Sequence, residues 1–269
     1  MAKENIHIMM VTRRQAARLV LCSATLWMAS QPALAGPPFM TDDPEPIEYR
    51  HSEGYIFSTY DQGPAGDKQI QLPALEYNTS PVEDFHLHLM VPFTNLYPNG
   101  GGATQHGLGD IEAGIKYRFL HETASRPQIG IFPMLELPTG DSDKGLGNGR
   151  AWWTLPVWIQ KSWGDWTTYG GGGRAFNDAP GMRNYNFGGW LLQRKVTERL
   201  ILGGELFGQG ATAEGGQHVT FFNVGGYYND IQVCGGCSLL FRVGHSVAGE
   251  NHTVGYLGLY WSWGSGAET

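Results

Sequence analysis

Along most of the chain, apolar and polar positions alternate with a period of two. Between Asp84 and Phe93, the residues Phe85, Leu87, Leu89, Val91 and Phe93 share one face, while His86, His88 and Met90 share the other. Between Ile111 and Phe119, Ile111, Ala113, Ile115, Tyr117 and Phe119 oppose Glu112, Gly114, Lys116 and Arg118. Successive side chains of a strand point to opposite sides, so this pattern predicts strands with one apolar and one polar face. Twelve such runs can be traced, roughly Glu53 to Tyr60, Lys68 to Thr79, Asp84 to Phe93, Asp110 to Phe119, Gln128 to Leu137, Arg150 to Lys161, Trp166 to Phe176, Asn184 to Lys195, Arg199 to Gly208, His218 to Tyr228, Gln232 to Val243 and His252 to Trp263.

Alternation alone fits a soluble sandwich as well as a membrane barrel. The connections discriminate. Those after even-numbered runs are short, as at Pro81-Val82-Glu83, Gly164-Asp165 and Asn229-Asp230. Those after odd-numbered runs are mostly longer and rich in Gly, Asp and Pro, as at Thr94 to Gly109, Pro138 to Gly149, Gln209 to Gln217 and Gly244 to Asn251. Short periplasmic turns and longer outer loops produce this alternation, and closed single-chain barrels have an even strand number. Runs of about ten residues match a tilted membrane-crossing strand. Trp152, Trp153, Trp158, Trp163, Trp166, Tyr169, Trp261 and Trp263 cluster toward strand ends, as interfacial girdles do. The expected fold is therefore all-β, a closed antiparallel transmembrane barrel of twelve strands.

Composition agrees. The 269 residues include 39 glycines, with 12% aromatic and only 16% charged residues, an unusual balance for a soluble globular domain. No uninterrupted apolar run is long enough for a membrane-spanning helix. At the N-terminus, Arg13, Arg14 and Arg18 precede the apolar run Leu19 to Ala29, and Pro32-Ala33-Leu34-Ala35 ends in the small-x-small pattern of a cleavage site. Residues 1–35 are expected to be a signal peptide, cleaved before Gly36, and residues 36–269 the barrel, exported to the bacterial outer membrane. Removing residues 1–35 takes away four cations and one anion, so a chain of net charge −7 matures to −10. That charge argues against nucleic acid as a partner. Membrane lipid and small solutes are the expected partners.

Gly36 to Ser52, GPPFMTDDPEPIEYRHS, is proline-rich and acidic and reads as a periplasmic leader segment outside the sheet. After cleavage only Cys234 and Cys237 remain, within VCGGCS. Residues three apart on a regular strand point to opposite faces, so a bridge between them requires Gly235 and Gly236 to form a bulge or turn. Thioredoxin-like chemistry would need a helix start that is lacking here.

GPPFMTDDPEPIEY after the signal peptide, GLGDIEAGIKYRF at 107–119, LPTGDSDKGLGNG at 137–149 and IQKSWGDWTTYGGGG at 159–173 together make nearly the whole mature chain resemble a known family. It is the bacterial outer-membrane "transporter" proteins named after the meta-cleavage pathway of phenol degradation. The resemblance implies an outer-membrane barrel and passage of aromatic or other small hydrophobic compounds. It brings no catalytic or binding residues with it.

The charged and histidine side chains on the less apolar strand faces are the candidate lumen lining: His86, His88, Glu112, Lys116, Arg118, Glu136, Arg174, Arg194, Glu205 and Arg242, with Glu76 beside them. An Arg or Lys facing lipid near the midplane costs about 2–4 kcal/mol, so these residues belong inside or near an interface. Mixed signs could line a narrow wet pore, or pair and fill it. His86 and His88 share a face, but two imidazoles make an incomplete metal site, and no metal or other cofactor is expected. Asp141-Ser142-Asp143-Lys144-Gly145 resembles the opening of a calcium loop but lacks its distal acidic ligand, which favours a tight surface loop. For an enzyme, His245-Ser246 is the adjacent pair near an outer loop, yet neighbours on a strand point apart and no GxSxG elbow occurs. The leading expectation is a non-enzymatic channel for passive uptake or efflux of small aromatic or hydrophobic solutes. A structural or surface-interaction barrel with a plugged lumen is the alternative, and a barrel-embedded acyl hydrolase the third.

Overall fold

The computed structural model describes residues 37–264, so the expected signal peptide lies outside the described residues. These residues form one closed antiparallel sheet of twelve strands. In chain order the strands are β1 (His51–Gln62), β2 (Lys68–Thr79), β3 (Phe85–Tyr97), β4 (Gln105–Leu108 and Ile111–Leu120), β5 (Gln128–Ile131 and Met134–Leu137), β6 (Trp152–Trp163), β7 (Trp166–Phe176), β8 (Tyr185–Lys195), β9 (Leu200–Gln209), β10 (Val219–Ile231), β11 (Cys237–Gly249) and β12 (Thr253–Gly264). Each pairs with its neighbours in sequence, and β1 pairs with β12 from His51 opposite Gly264 to Gln62 opposite Thr253. This last ladder leaves no free edge, which a sheet needs in lipid because no water is there to satisfy its backbone.

Two strands are broken, each for a local reason. In β5, Pro133 has no N–H to give the ladder, so pairing stops at Ile131 and resumes at Met134. In β4 the break is at Gly109 and Asp110, both halves still pairing with β3. Asp110 leaves the ladder to accept the backbone N–H of Gly140 at 2.9 Å and of Asn148 at 2.7 Å. It thereby pins the long loop 138–151 to the wall. In that loop Asp141 caps a short 3-10 turn, Ser142–Lys144, and pairs with Lys144 at 2.8 Å. The hydrogen bond from Lys144 holds the Asp141 carboxyl below its ordinary range. With its acid committed to a neighbouring lysine, this is a tight surface loop.

The longer connections, 98–104, 138–151, 177–184 and 210–218, emerge at one end, and the turns between even and odd strands at the other. The alternation is less regular than the sequence suggests. β11 continues to Gly249 and β12 begins at Thr253, so the outer connection expected over Gly244 to Asn251 shrinks to 250–252. Gln105–Leu108 likewise pairs with β3 and shortens the outer segment read as Thr94 to Gly109. At the turn end, Cys234 and Cys237 are joined by a disulfide. Gly235 and Gly236 between them have φ of 78° and 84°, which turns the chain and brings the two sulfurs to the same side.

The outward face is apolar: Ile56, Leu75, Leu89, Ile115, Val157 and Leu257 all stand exposed on it. Trp153, Trp163, Trp166, Trp190 and Trp263 are exposed there too. Trp152 and Trp158 are not part of that girdle. They occupy even positions of β6, whose even side chains turn inward, and Trp158 is 2% exposed; Tyr169, expected in the girdle too, turns inward from β7 and is fully buried.

Candidate functional site

The lumen is occupied by the chain's own leader. Residues 37–50 are outside the sheet, as their prolines require, but 37–47 run inside the barrel rather than lying in the periplasm. Phe39, Thr41, Asp43 and Pro44 are buried there. The wall is shaped to receive them. A Cβ on Gly189 of β8 would collide with the Thr41 hydroxyl, and one on Gly130 of β5 would lie 3.0 Å from the Pro44 carbonyl oxygen.

Two chemically different stretches of wall hold the leader. On β4 to β6 the contacts are ionic and polar. Lys116, 3% exposed, places Nζ 2.9 Å from Asp42 Oδ1 and 3.5 Å from Asp43 Oδ2, over the Phe132 ring at 4.9 Å. Glu45 Oε2 accepts from Gln128 Nε2 at 3.0 Å and Gln160 Nε2 at 2.9 Å, and Arg118 stands 3.8 Å from Glu45. Arg118 is itself anchored by Asp84, with Nη2 to Oδ1 at 2.8 Å. On β8 to β12 the contact is apolar. Met40 packs with Phe187 on a cluster of Phe207, Val219, Phe221 and Val254. One acid on this side closes the clasp: Glu205 accepts the backbone N–H groups of Met40 and Thr41 and the Asn223 amide.

Beside the leader, a cavity of about 190 Å³ opens against β1 to β5, with Glu53, Tyr55, Glu76, His88, Glu112 and Phe132 in its wall. His88 is the hub of its polar network. Its Nδ1 lies 2.9 Å from Asn78 and 3.4 Å from Glu76, and its Nε2 lies 3.0 Å from Glu112. His86, on the same face, stacks loosely with Phe132 instead. Among the described residues no group of three or more His, Cys, Asp or Glu is arranged to hold a metal ion.

Of the residues read as lumen lining, His86, His88, Glu112, Lys116, Arg118, Glu136, Glu205 and Arg242 turn inward, Glu136 accepting from Trp152 Nε1 at 2.9 Å. Arg174 and Arg194 do not. Arg174 is paired with Leu155 in the β6 ladder and lies over Phe176 at 5.7 Å, and Arg194 lies over Trp166 at 5.2 Å, all on the outer face. Both sit near strand ends, where an arginine can cover an aromatic ring and keep its charge at the interface. Reading β7 and β8 by charge alone misassigns them, because the adjoining inward positions Gly173, Ala175, Leu191 and Gln193 carry no charge that would mark the luminal face. Sequence reasoning missed the leader, Gln128, Gln160 and Asn223 as luminal partners. The sequence holds only a partial signal for the leader: an acidic segment needs cations, and Lys116 and Arg118 lie on a polar strand face, but alternation does not bring the two together. His245 and Ser246 fall on opposite faces of β11, with His245 bonded to Thr253 and Ser246 to the His252 backbone N–H, so they do not form a catalytic pair.

No protein-family model matches the chain, and no curated protein does. Solved structures do. The COG4313 outer membrane channel from Pseudomonas putida F1 superposes with a TM-score of 0.68 at 15% identity, over 82% of this chain and 98% of that one. The closed sheet, its lipid-compatible exterior and this likeness decide the class. The protein is a bacterial outer-membrane β-barrel. The translocator domain of the autotransporter NalP from Neisseria meningitidis matches this barrel with a TM-score of 0.52 at 12% identity, over 93% of this chain and 95% of that one. The KdgM porin in complex with oligogalacturonate matches with 0.51 at 12% identity, over 78% and 99%. These likenesses show the fold, and the neighbours that share it include an outer membrane channel and a porin.

Proposed function

We propose that the protein is an outer-membrane channel for passive movement of small solutes, aromatic ones favoured, and that residues 37–47 keep its lumen shut until they let go. The observation that carries this reading is how the leader is held. It contributes no strand, so its departure breaks no ladder. Apart from the packing of Met40 on the apolar cluster, it is retained by ion pairs and side-chain hydrogen bonds that water can replace once it leaves, each worth a modest net amount. A plug built only to stabilise a barrel would be expected to pack as core. The aromatic lumen wall from β8 around to β1 and the resemblance to the phenol-degradation transporters support aromatic solutes.

A permanently filled structural barrel is the second reading, favoured by the complete burial of Thr41 and Asp43. Proteoliposome flux separates the two. Protein beginning at Gly36 is compared with protein beginning at Tyr49, using phenol, a pentose and chloride as permeants. The channel reading expects measurable flux from the first and a several-fold higher flux from the second. Silence from both, with each barrel still heat-modifiable on gels, would establish the structural reading instead.

A further inference from the structure

We propose that Arg242 and Tyr256 form a carboxylate-binding subsite in the lumen, and that its ligand is a small aromatic carboxylate. This deepens the channel reading by naming a solute class and rests on it only for the route by which the solute arrives.

Arg242 and Tyr256 are direct partners in the β11–β12 ladder, and both side chains turn inward. Arg242 Nε and the Tyr256 hydroxyl are both buried without a hydrogen-bond partner. Two orphan donors side by side in one wall call for a partner, because buried polar groups are nearly always hydrogen-bonded and leaving one unpaired is costly. The nearby acids are engaged elsewhere. Asp61 is paired with His252 at 2.8 Å, and Glu205 is taken by the leader and Asn223, so neither comes within ion-pair distance of Arg242. The other luminal cations differ: Lys116 faces Asp42 and Asp43, and Arg118 faces Asp84.

The surroundings specify the rest of the ligand. Across the β10–β11 ladder Arg242 faces Gly225, which presents no side chain, while the space over Gly244, the next inward position of β11, is taken by the Asn223 amide oxygen. On the other side Tyr256 is stacked with Phe57 at 5.0 Å and 20° between planes. A carboxylate accepts from a guanidinium and a phenol together, and charge-assisted bonds of this type are about twice as strong as neutral ones. A flat ring attached to that carboxylate can lie against Phe57 and Tyr256, and aromatic pairs favour such offset contact.

The test is calorimetric titration of benzoate, with acetate and benzyl alcohol as part-ligands, into detergent-solubilised protein beginning at Gly36 and at Tyr49. Benzoate should bind saturably and at least about tenfold more tightly than either part-ligand, through the doubled strength of the charged contact and the added ring. Arg242→Gln should weaken benzoate by at least about tenfold and Tyr256→Phe by less, with benzyl alcohol unaffected by Arg242→Gln. Heat-modifiability on gels shows that each variant is a folded barrel, and Tyr256→Phe, which alters only one oxygen, carries the test if Arg242→Gln does not fold. Benzoate that fails to bind either form, or binds Arg242→Gln and Tyr256→Phe as it does the parent, would overturn the subsite and leave water as the partner of the two donors. Acetate binding as well as benzoate would overturn the aromatic part. Saturable, Arg242-dependent binding without any liposome flux would uphold the subsite while the channel reading failed, and flux without binding would do the reverse.

Discussion

The two sides of the lumen are built on identical strand geometry and do opposite things. From β2 to β5 the inward positions carry Glu76, His88, Glu112, Lys116, Arg118 and Glu136, nearly all in ion pairs or hydrogen bonds. From β8 around to β1 they carry Phe187, Phe207, Phe221, Tyr256 and Phe57, in ring contacts and apolar clusters. The leader is divided the same way: Met40 meets the aromatic side, and Asp42, Asp43 and Glu45 meet the charged side. The difference teaches that what holds the leader and what stiffens the barrel are separable. Charged contacts are lost almost completely when one partner goes, because the survivor is left buried and unpaired. Ring packing is lost by degrees.

Substitutions can break that separation or confirm it. The largest effect is expected at Lys116. Lys116→Met leaves Asp42 and Asp43 without their cation, a loss of about 3–5 kcal/mol for a broken buried pair, and should release the leader. Protease cleavage within 37–47 and raised liposome flux would report the release, with the barrel still folded. On the opposite side Leu240→Ala, at an inward position 1% exposed, should cost the barrel about 2–4 kcal/mol in denaturant unfolding and leave the leader protected. If Leu240→Ala released the leader as readily as Lys116→Met, the two sides would not be separable. Glu45→Gln keeps an acceptor for Gln128 and Gln160 but removes the charge, so a loss of about 1 kcal/mol and a roughly fivefold rise in leader cleavage are expected.

Much of the barrel was legible in the sequence, because a period-two pattern over strands such as Phe85–Tyr97 is forced by having lipid outside and water or protein inside. Strand number and the inward direction of His88 or Lys116 follow from the same constraint. The boundary at Gly249 was not legible: His245 to Gly249 look like loop residues, and only their partners on β10 make them strand. Arg174 and Arg194 were misread because charge was taken as a sign of the lumen, whereas near a strand end an arginine can lie over Phe176 or Trp166 in the interface. The leader's luminal course was the main thing hidden. Its composition shows that it cannot be a strand, but its place depends on contacts from Glu205, Gln128 and Gln160, which alternation cannot bring together across the barrel.

The central claim is that residues 37–47 close the lumen, and a reversible tether tests it most directly. The Glu45 and Gln160 side chains meet tip to tip at 2.9 Å, so Glu45→Cys with Gln160→Cys places two thiols that a short crosslinker with an internal disulfide can tie, locking the leader to β6. Single-channel conductance of the double variant is recorded in planar bilayers before and after reductant, beside the parent protein treated the same way to account for Cys234–Cys237. Low, steady conductance is expected from the tied variant and larger, fluctuating conductance after reduction, with the parent unchanged. Equal conductance of the locked and released forms would contradict closure by the leader.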